Sequence, residues 1–172
     1  ESPYSLVHDG TWTFARLLAM TEDFNEDVNG DNAITLDSDD KIGILTYSNM
    51  NIAQQVAFGL HFSERGADGY PQITYMDARM TQGFDLIRDC ISKKQLCLYA
   101  PGTDTLSLTT DMQKAFQNNT VYFMYQVLSS ASVMREMEAD FGILPMPMLD
   151  DAQDRYYTCV LENLTVLGIP TS

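Results

Sequence analysis

Apolar residues along the chain recur either every three to four positions, as in helices, or in short unbroken runs, as in buried strands. Phe14, Leu17 and Leu18 follow Thr11 and Thr13, either of which can cap a short amphipathic helix over 12–20. After an Asp- and Asn-rich loop from Asp27 to Asp40, the run KIGILTY predicts a buried strand. Ile52, Val56 and Leu60, with Ala53 and Ala57 beside them, predict a helix packed on it. Met76, Met80, Phe84, Ile87 and Ile91 mark a second stripe, which Asp77 is placed to cap. A further helix is expected over 109–118, ended by Asn118 and Asn119, and VYFMY (121–125) is the clearest strand. Leu128, Ala131, Met134 and Met137 predict another helix. The Pro- and Gly-bounded runs Phe141–Met146 and Leu164–Ile169 predict two strands joined by an acidic, tyrosine-bearing loop.

Alternating helices and strands with loops of ordinary length imply a layered α/β or α+β domain, and no internal period suggests a repeat array. The chain has 172 residues, enough for one domain with its own core. Against 10 Lys and Arg stand 24 Asp and Glu, a formal charge of -14. That field repels phosphate backbones and anionic lipid, which disfavours nucleic acid and membrane surfaces as partners. Glu1, Ser2 and Pro3 show neither an initiator Met nor a basic and apolar leader, which fits a mature chain or an excised piece. Cys90, Cys97 and Cys159 have neither zinc nor CxxC spacing. A local Cys90–Cys97 disulfide is sterically conceivable in an oxidising compartment, and buried unpaired thiols are the alternative.

Five segments, in order, carry a family resemblance. They are DGTWTFARL from Asp9, DVNGD followed by DDKIGI, AFQNNTVYFMY leading to a strand, SVMREMEADFGILPMP, and DDAQDRYY. Together they resemble the bacterial extracellular solute-binding proteins of family 1, which deliver sugars to ABC transporters. Asn118 and Asn119 stand where that family commonly has Gly, a departure that bears on the local turn. The resemblance implies a periplasmic-binding-protein-like type II lobe, an α/β fold with a mixed sheet flanked by helices. Residues 1–140 would form the second lobe, and 141–172 the inter-lobe crossing strands and the start of the return to the first. It implies a piece of a longer protein, held outside a bacterial cell by a lipid anchor beyond this segment, with permease subunits as partners.

Sugar recognition calls for aromatic faces against pyranose C–H surfaces and planar polar groups that pair with hydroxyls. Tyr47, Ser48 and Asn49 follow the KIGIL strand; Tyr125, Gln126 and Ser129 follow VYFMY. The resemblance places both loops on the cleft side, and Tyr156 and Tyr157 after the crossing are further candidates. Packing is the alternative role for each tyrosine. Trp12, beside a helix cap, reads as a structural anchor.

Asp27, Asn29 and Asp31 occupy the first, third and fifth positions of a calcium loop, with the Ala33 carbonyl at the seventh and Thr35 at the ninth. Asn32 replaces the turn Gly and Ser38 the bidentate Glu, which leaves Asp37 or Asp39 to reach in. A structural Ca²⁺ is therefore expected, against a solvated turn held by Asx hydrogen bonds. His8 and His61 belong to no catalytic spacing, and HExxH, GxSxG, GxGxxG and Walker-type loops are absent. The expectation is a non-enzymatic receptor lobe that captures a mono- or oligosaccharide between hinged lobes. A calcium-stabilised extracellular interaction module without a transport role is the alternative, since DVNGD also suits such modules.

Overall fold

The computed structural model describes residues 2–36, 39–75, 77–92, 98–99 and 105–160, and only the backbone of 48–51, 98–99 and 105–109. Helix α1 (Pro3–His8) begins on a proline whose missing amide costs nothing in a first turn. Helix α2 (Phe14–Thr21) is capped by Thr13, whose hydroxyl accepts from the Arg16 amide at 3.4 Å. Strand β1 (Ile42–Thr46) is buried along its whole length and leads into α3 (Ser48–Ala57). A small hairpin, β2 (Ser63–Arg65) with β3 (Pro71–Ile73), precedes α4 (Ala78–Ser92). There follow β4 (Leu98–Tyr99), α5 (Thr105–Gln117), β5 (Val121–Met124) and a 3-10 helix (Leu128–Glu136).

The main sheet has the order β4-β1-β5, and both neighbours run parallel to β1. A mixed sheet was expected; among the described residues antiparallel pairing is limited to the separate β2–β3 hairpin and a single Glu26–Lys41 bridge just before β1. One core, built on Trp12, Phe14, Leu17, Ile44, Phe58 and Ile87, covers one side of the sheet; a second, on Ile42, Leu45, Met112 and Val121, joins it to α5. No helix among the described residues is long and apolar enough to cross a membrane.

Local chemistry sets the element ends. Asp77 caps α4 as expected, its carboxylate accepting from the Met80 amide at 2.6 Å. At the end of α5 the Thr120 amide reaches the Ala115 carbonyl and the Asn119 amide the Phe116 carbonyl. With Asn119 at φ 58° this is a Schellman motif in which Asn takes the left-handed position usual for Gly. The spacing of three in Leu128, Ala131, Met134 and Met137 suits three residues per turn, so the last expected helix forms as 3-10. On α3 the buried stripe is Ala53, Gln54 and Ala57, and Ile52 faces solvent.

The expected strand Phe141–Met146 is not one. This stretch has no regular secondary structure and joins no ladder among the described residues. Pro145 and Pro147 lack the amides a ladder needs there. Side chains hold it instead: Trp12 Nε1 donates to the Pro145 carbonyl at 3.0 Å and Gln54 Nε2 to the Pro147 carbonyl at 3.1 Å. Met148 then bridges to Thr13, and Leu149 enters the first core. The expected strand 164–169, Met76 and Cys97 lie outside the described residues, whereas Cys90 is buried on α4.

Candidate functional site

The order β4-β1-β5 leaves β5 as the outer strand on its side of the sheet among the described residues. The Ile42 amide bonds the Thr120 carbonyl in register with Val121, so the peptide groups of Val121 point away from β1. Beyond that edge lies a groove of about 440 Å³, walled by β5 on one side and by the stretch 140–147 on the other. Every residue from Val121 to Gln126 lines it, whichever face of the strand it belongs to. The groove therefore runs along the strand's edge and reaches its carboxyl end.

Its chemistry is aromatic and amide-like. Tyr4, Tyr122, Tyr125 and Phe141 supply rings, and Asn119 and Gln126 supply planar polar groups. Among the described residues Asp140 is the one charged group in the lining, and none is a cation. Tyr122 is 41% exposed, and its ring stacks on Phe24 with centroids 5.0 Å apart. The Tyr125 hydroxyl donates to Gln54 Oε1 at 2.6 Å, which ties that ring to the helix beneath while it still lines the groove.

Gln126 is held by its oxygen. Oε1 accepts from the Val127 amide at 3.0 Å and from the Ser130 hydroxyl at 3.2 Å, while Nε2 is buried with no partner. A backbone amide only donates, so the atom facing Val127 is the oxygen and the NH₂ group is the one left over.

Of the residues singled out from sequence, the groove brings together Tyr125 and Gln126. Tyr47 is 8% exposed and packs in the second core, where burial raises its phenol above the usual tyrosine range. Ser48 and Asn49 open α3. Ser129 is exposed on the 3-10 helix. The Tyr156 hydroxyl accepts from the Trp12 amide at 3.2 Å and donates to the Val7 carbonyl at 3.3 Å, so it clasps the chain. Tyr157 lies over Gly59, where a Cβ would meet its ring at 3.1 Å. Trp12 is 1% exposed, the anchor its position suggested. Tyr4, Asn119, Tyr122, Asp140 and Phe141 were not foreseen, because nothing local to VYFMY shows which segments will pack beside it.

The acidic loop folds as a set of Asx turns. Asp27 accepts from the amides of Gly30 and Asn32, both at 2.7 Å; Asp31 accepts from the Ala33 amide at 2.8 Å, and Asn29 from the Asp31 amide at 2.9 Å. Asn32 takes φ 66° at the calcium loop's turn position. Among the described residues no three His, Cys, Asp or Glu side chains converge as a metal cluster, and Asp37 lies outside them. Each bonded carboxylate oxygen keeps a second lone pair, so the Asx turns leave acceptor capacity for a cation.

Compared with known proteins, the chain matches no family model, no curated protein and no solved structure.

Proposed function

We propose that the chain is a carbohydrate-binding lobe, one half of a hinged extracellular receptor that passes a neutral saccharide to ABC permease subunits. The observation that carries the reading is the β5 groove, which pairs exposed rings with amide groups and has no cation among its described lining residues. Such a lining suits sugar C–H faces and hydroxyls and supplies no positive charge to hold a phosphate or carboxylate. Topology supports it. Numbered in chain order, the strands of the main sheet lie 2-1-3, and in open α/β sheets a ligand sits outside the carboxyl ends at the point where the order reverses. Tyr125 and Gln126 follow β5 at that end, where the groove opens, whereas the end of β1 is closed by the core around Tyr47; a type II binding-protein lobe would have this plan. In that reading the 141–148 stretch leads toward the hinge, and closure of two lobes buries the sugar.

A lobe alone makes part of the contacts, and binding in the millimolar range corresponds to only about 4 kcal/mol. Amide-resonance titration of the ¹⁵N-labelled chain with neutral disaccharides is expected to give saturable shifts along β5 and 140–147. Tyr122→Ala should weaken binding about fivefold or more, and Tyr70→Ala on the distant hairpin should leave it unchanged. Equal effects of the two would place the sugar elsewhere.

The loop reading continues as a structural calcium site, with Asp27, Asn29, Asp31, the Ala33 carbonyl, Thr35 and Asp37 or Asp39 as its oxygen donors. Hard oxygen ligands at that spacing suit calcium, which would fasten the loop before β1 and take no part in binding sugar. For a Kd of roughly 0.1 to 1 mM, 1 mM calcium adds about 0.4 to 1.4 kcal/mol. Thermal melting should rise with calcium against chelator in the native chain and not in Asp27→Ala. A native melting point indifferent to both would leave the loop an Asx turn and nothing more.

A further inference from the structure

The two walls of the β5 groove are gripped by one side chain that does not line it. Gln54, on α3, is 2% exposed and stands behind the groove. Its Oε1 accepts from the Tyr125 hydroxyl at 2.6 Å, and its Nε2 donates to the Pro147 carbonyl at 3.1 Å. Tyr125 belongs to the β5 side of the groove and Pro147 to the opposite side, and both line it.

The Gln54 amide fits one way round. A backbone carbonyl accepts and never donates, so the NH₂ group faces Pro147 and the oxygen faces Tyr125, whose phenol is then the donor. Packing alone does not hold that ring forward. Behind it lies a gap of about 20 Å³, lined by Thr46, Gln54 and Tyr125 among others, and Thr46 Oγ1 there is buried with no partner among the described residues. A phenol released by Gln54 gains a bond by withdrawing toward Thr46, which takes the ring away from the groove. The opposite wall depends on side chains too, because the stretch around Pro147 joins no ladder among the described residues.

We infer that Gln54 is a positioning residue for the sugar site: by gripping Tyr125 and Pro147 at once it sets the spacing of the two walls and keeps the Tyr125 ring where a sugar face can lie on it. The inference rests on the carbohydrate reading and adds a residue that never touches the sugar. A ring already held in place needs no ordering when the ligand arrives, so affinity falls when the grip is lost. Gln153 supplies the contrast. Its amide also anchors the chain, accepting from the Leu149 amide at 3.1 Å and donating to the Ala57 carbonyl at 2.8 Å, but neither partner lines the groove.

The test uses the ¹⁵N-labelled 172-residue chain with cellobiose, at a temperature where melting curves show each variant folded. Gln54→Met keeps the reach of the side chain and removes both bonds. It is expected to weaken cellobiose about fivefold or more, whereas Gln153→Met lowers the melting temperature and leaves affinity within about twofold. A second arm needs no ligand. Tyr125→Phe should move the Gln54 side-chain NH₂ resonance and the Met148 amide resonance, since that amide shares its peptide group with the Pro147 carbonyl. Unchanged affinity in Gln54→Met, or an equal loss in Gln153→Met, makes Gln54 merely structural and overturns the inference while the carbohydrate reading stands. Unmoved resonances in Tyr125→Phe overturn it whatever Gln54→Met does. Moved resonances in a native background that takes no cellobiose support the grip on both walls and overturn the carbohydrate reading.

Discussion

Trp12→Ala is expected to destabilise the chain by about 3 to 5 kcal/mol, the range for truncating a buried aromatic. For a domain of this size that corresponds to a fall of roughly 10 °C in melting temperature. The indole is 1% exposed and meets Phe123 with centroids 5.8 Å apart. It also secures a stretch that two prolines bar from a ladder: Nε1 bonds the Pro145 carbonyl, and the Trp12 carbonyl accepts from the Met148 amide. Trp12→Phe keeps a ring but loses the Nε1 bond and part of the buried volume, so it should cost about 1 to 3 kcal/mol, less than Trp12→Ala. Circular-dichroism melting of both variants checks the order. A fall under about 2 °C in Trp12→Ala would contradict the anchoring role.

Asp40→Ala should cost about 3 kcal/mol. Asp40 is 0% exposed, and its two oxygens accept from the Val28 amide at 2.9 Å and the Thr35 amide at 3.0 Å. The side chain thus staples both arms of the acidic loop just before β1 begins. Bonds to a charged acceptor are worth about 1.5 to 3 kcal/mol each, and the loop's exposure lets water replace part of that. Asp40→Asn keeps one carbonyl oxygen and should lose roughly half as much. Equal melting of Asp40→Ala and the native chain would mean that the loop does not depend on the staple.

Helices with a cap and a stripe were readable from sequence because their signals are local. Asp77 caps α4 as expected, and of the paired candidates Thr11/Thr13 and Asn118/Asn119 it is Thr13 that caps α2 and Asn119 that turns the chain after α5. On α3 the larger Ile52 was expected inside, but Ala53 and Ala57 are the residues that are buried, with Ile52 turned to solvent. The run Phe141–Met146 has a strand's composition, yet Pro145 and Pro147 remove the donors that a ladder uses. Tyr47 illustrates the limit for function. A tyrosine after a strand looks like a ligand contact, but β1 is the central strand and its end is covered by the core that holds α5. Which strand lies outermost is a tertiary fact, and the groove lies beside β5 because β5 does so among the described residues.

Intermolecular NOEs between a neutral disaccharide and the chain test the central claim most directly. The account predicts contacts from sugar ring protons to the rings of Tyr122 and Tyr125, with the disaccharide recovered intact. Contacts confined to Tyr70 and Tyr75 near the hairpin, or cleavage of the sugar, would contradict it.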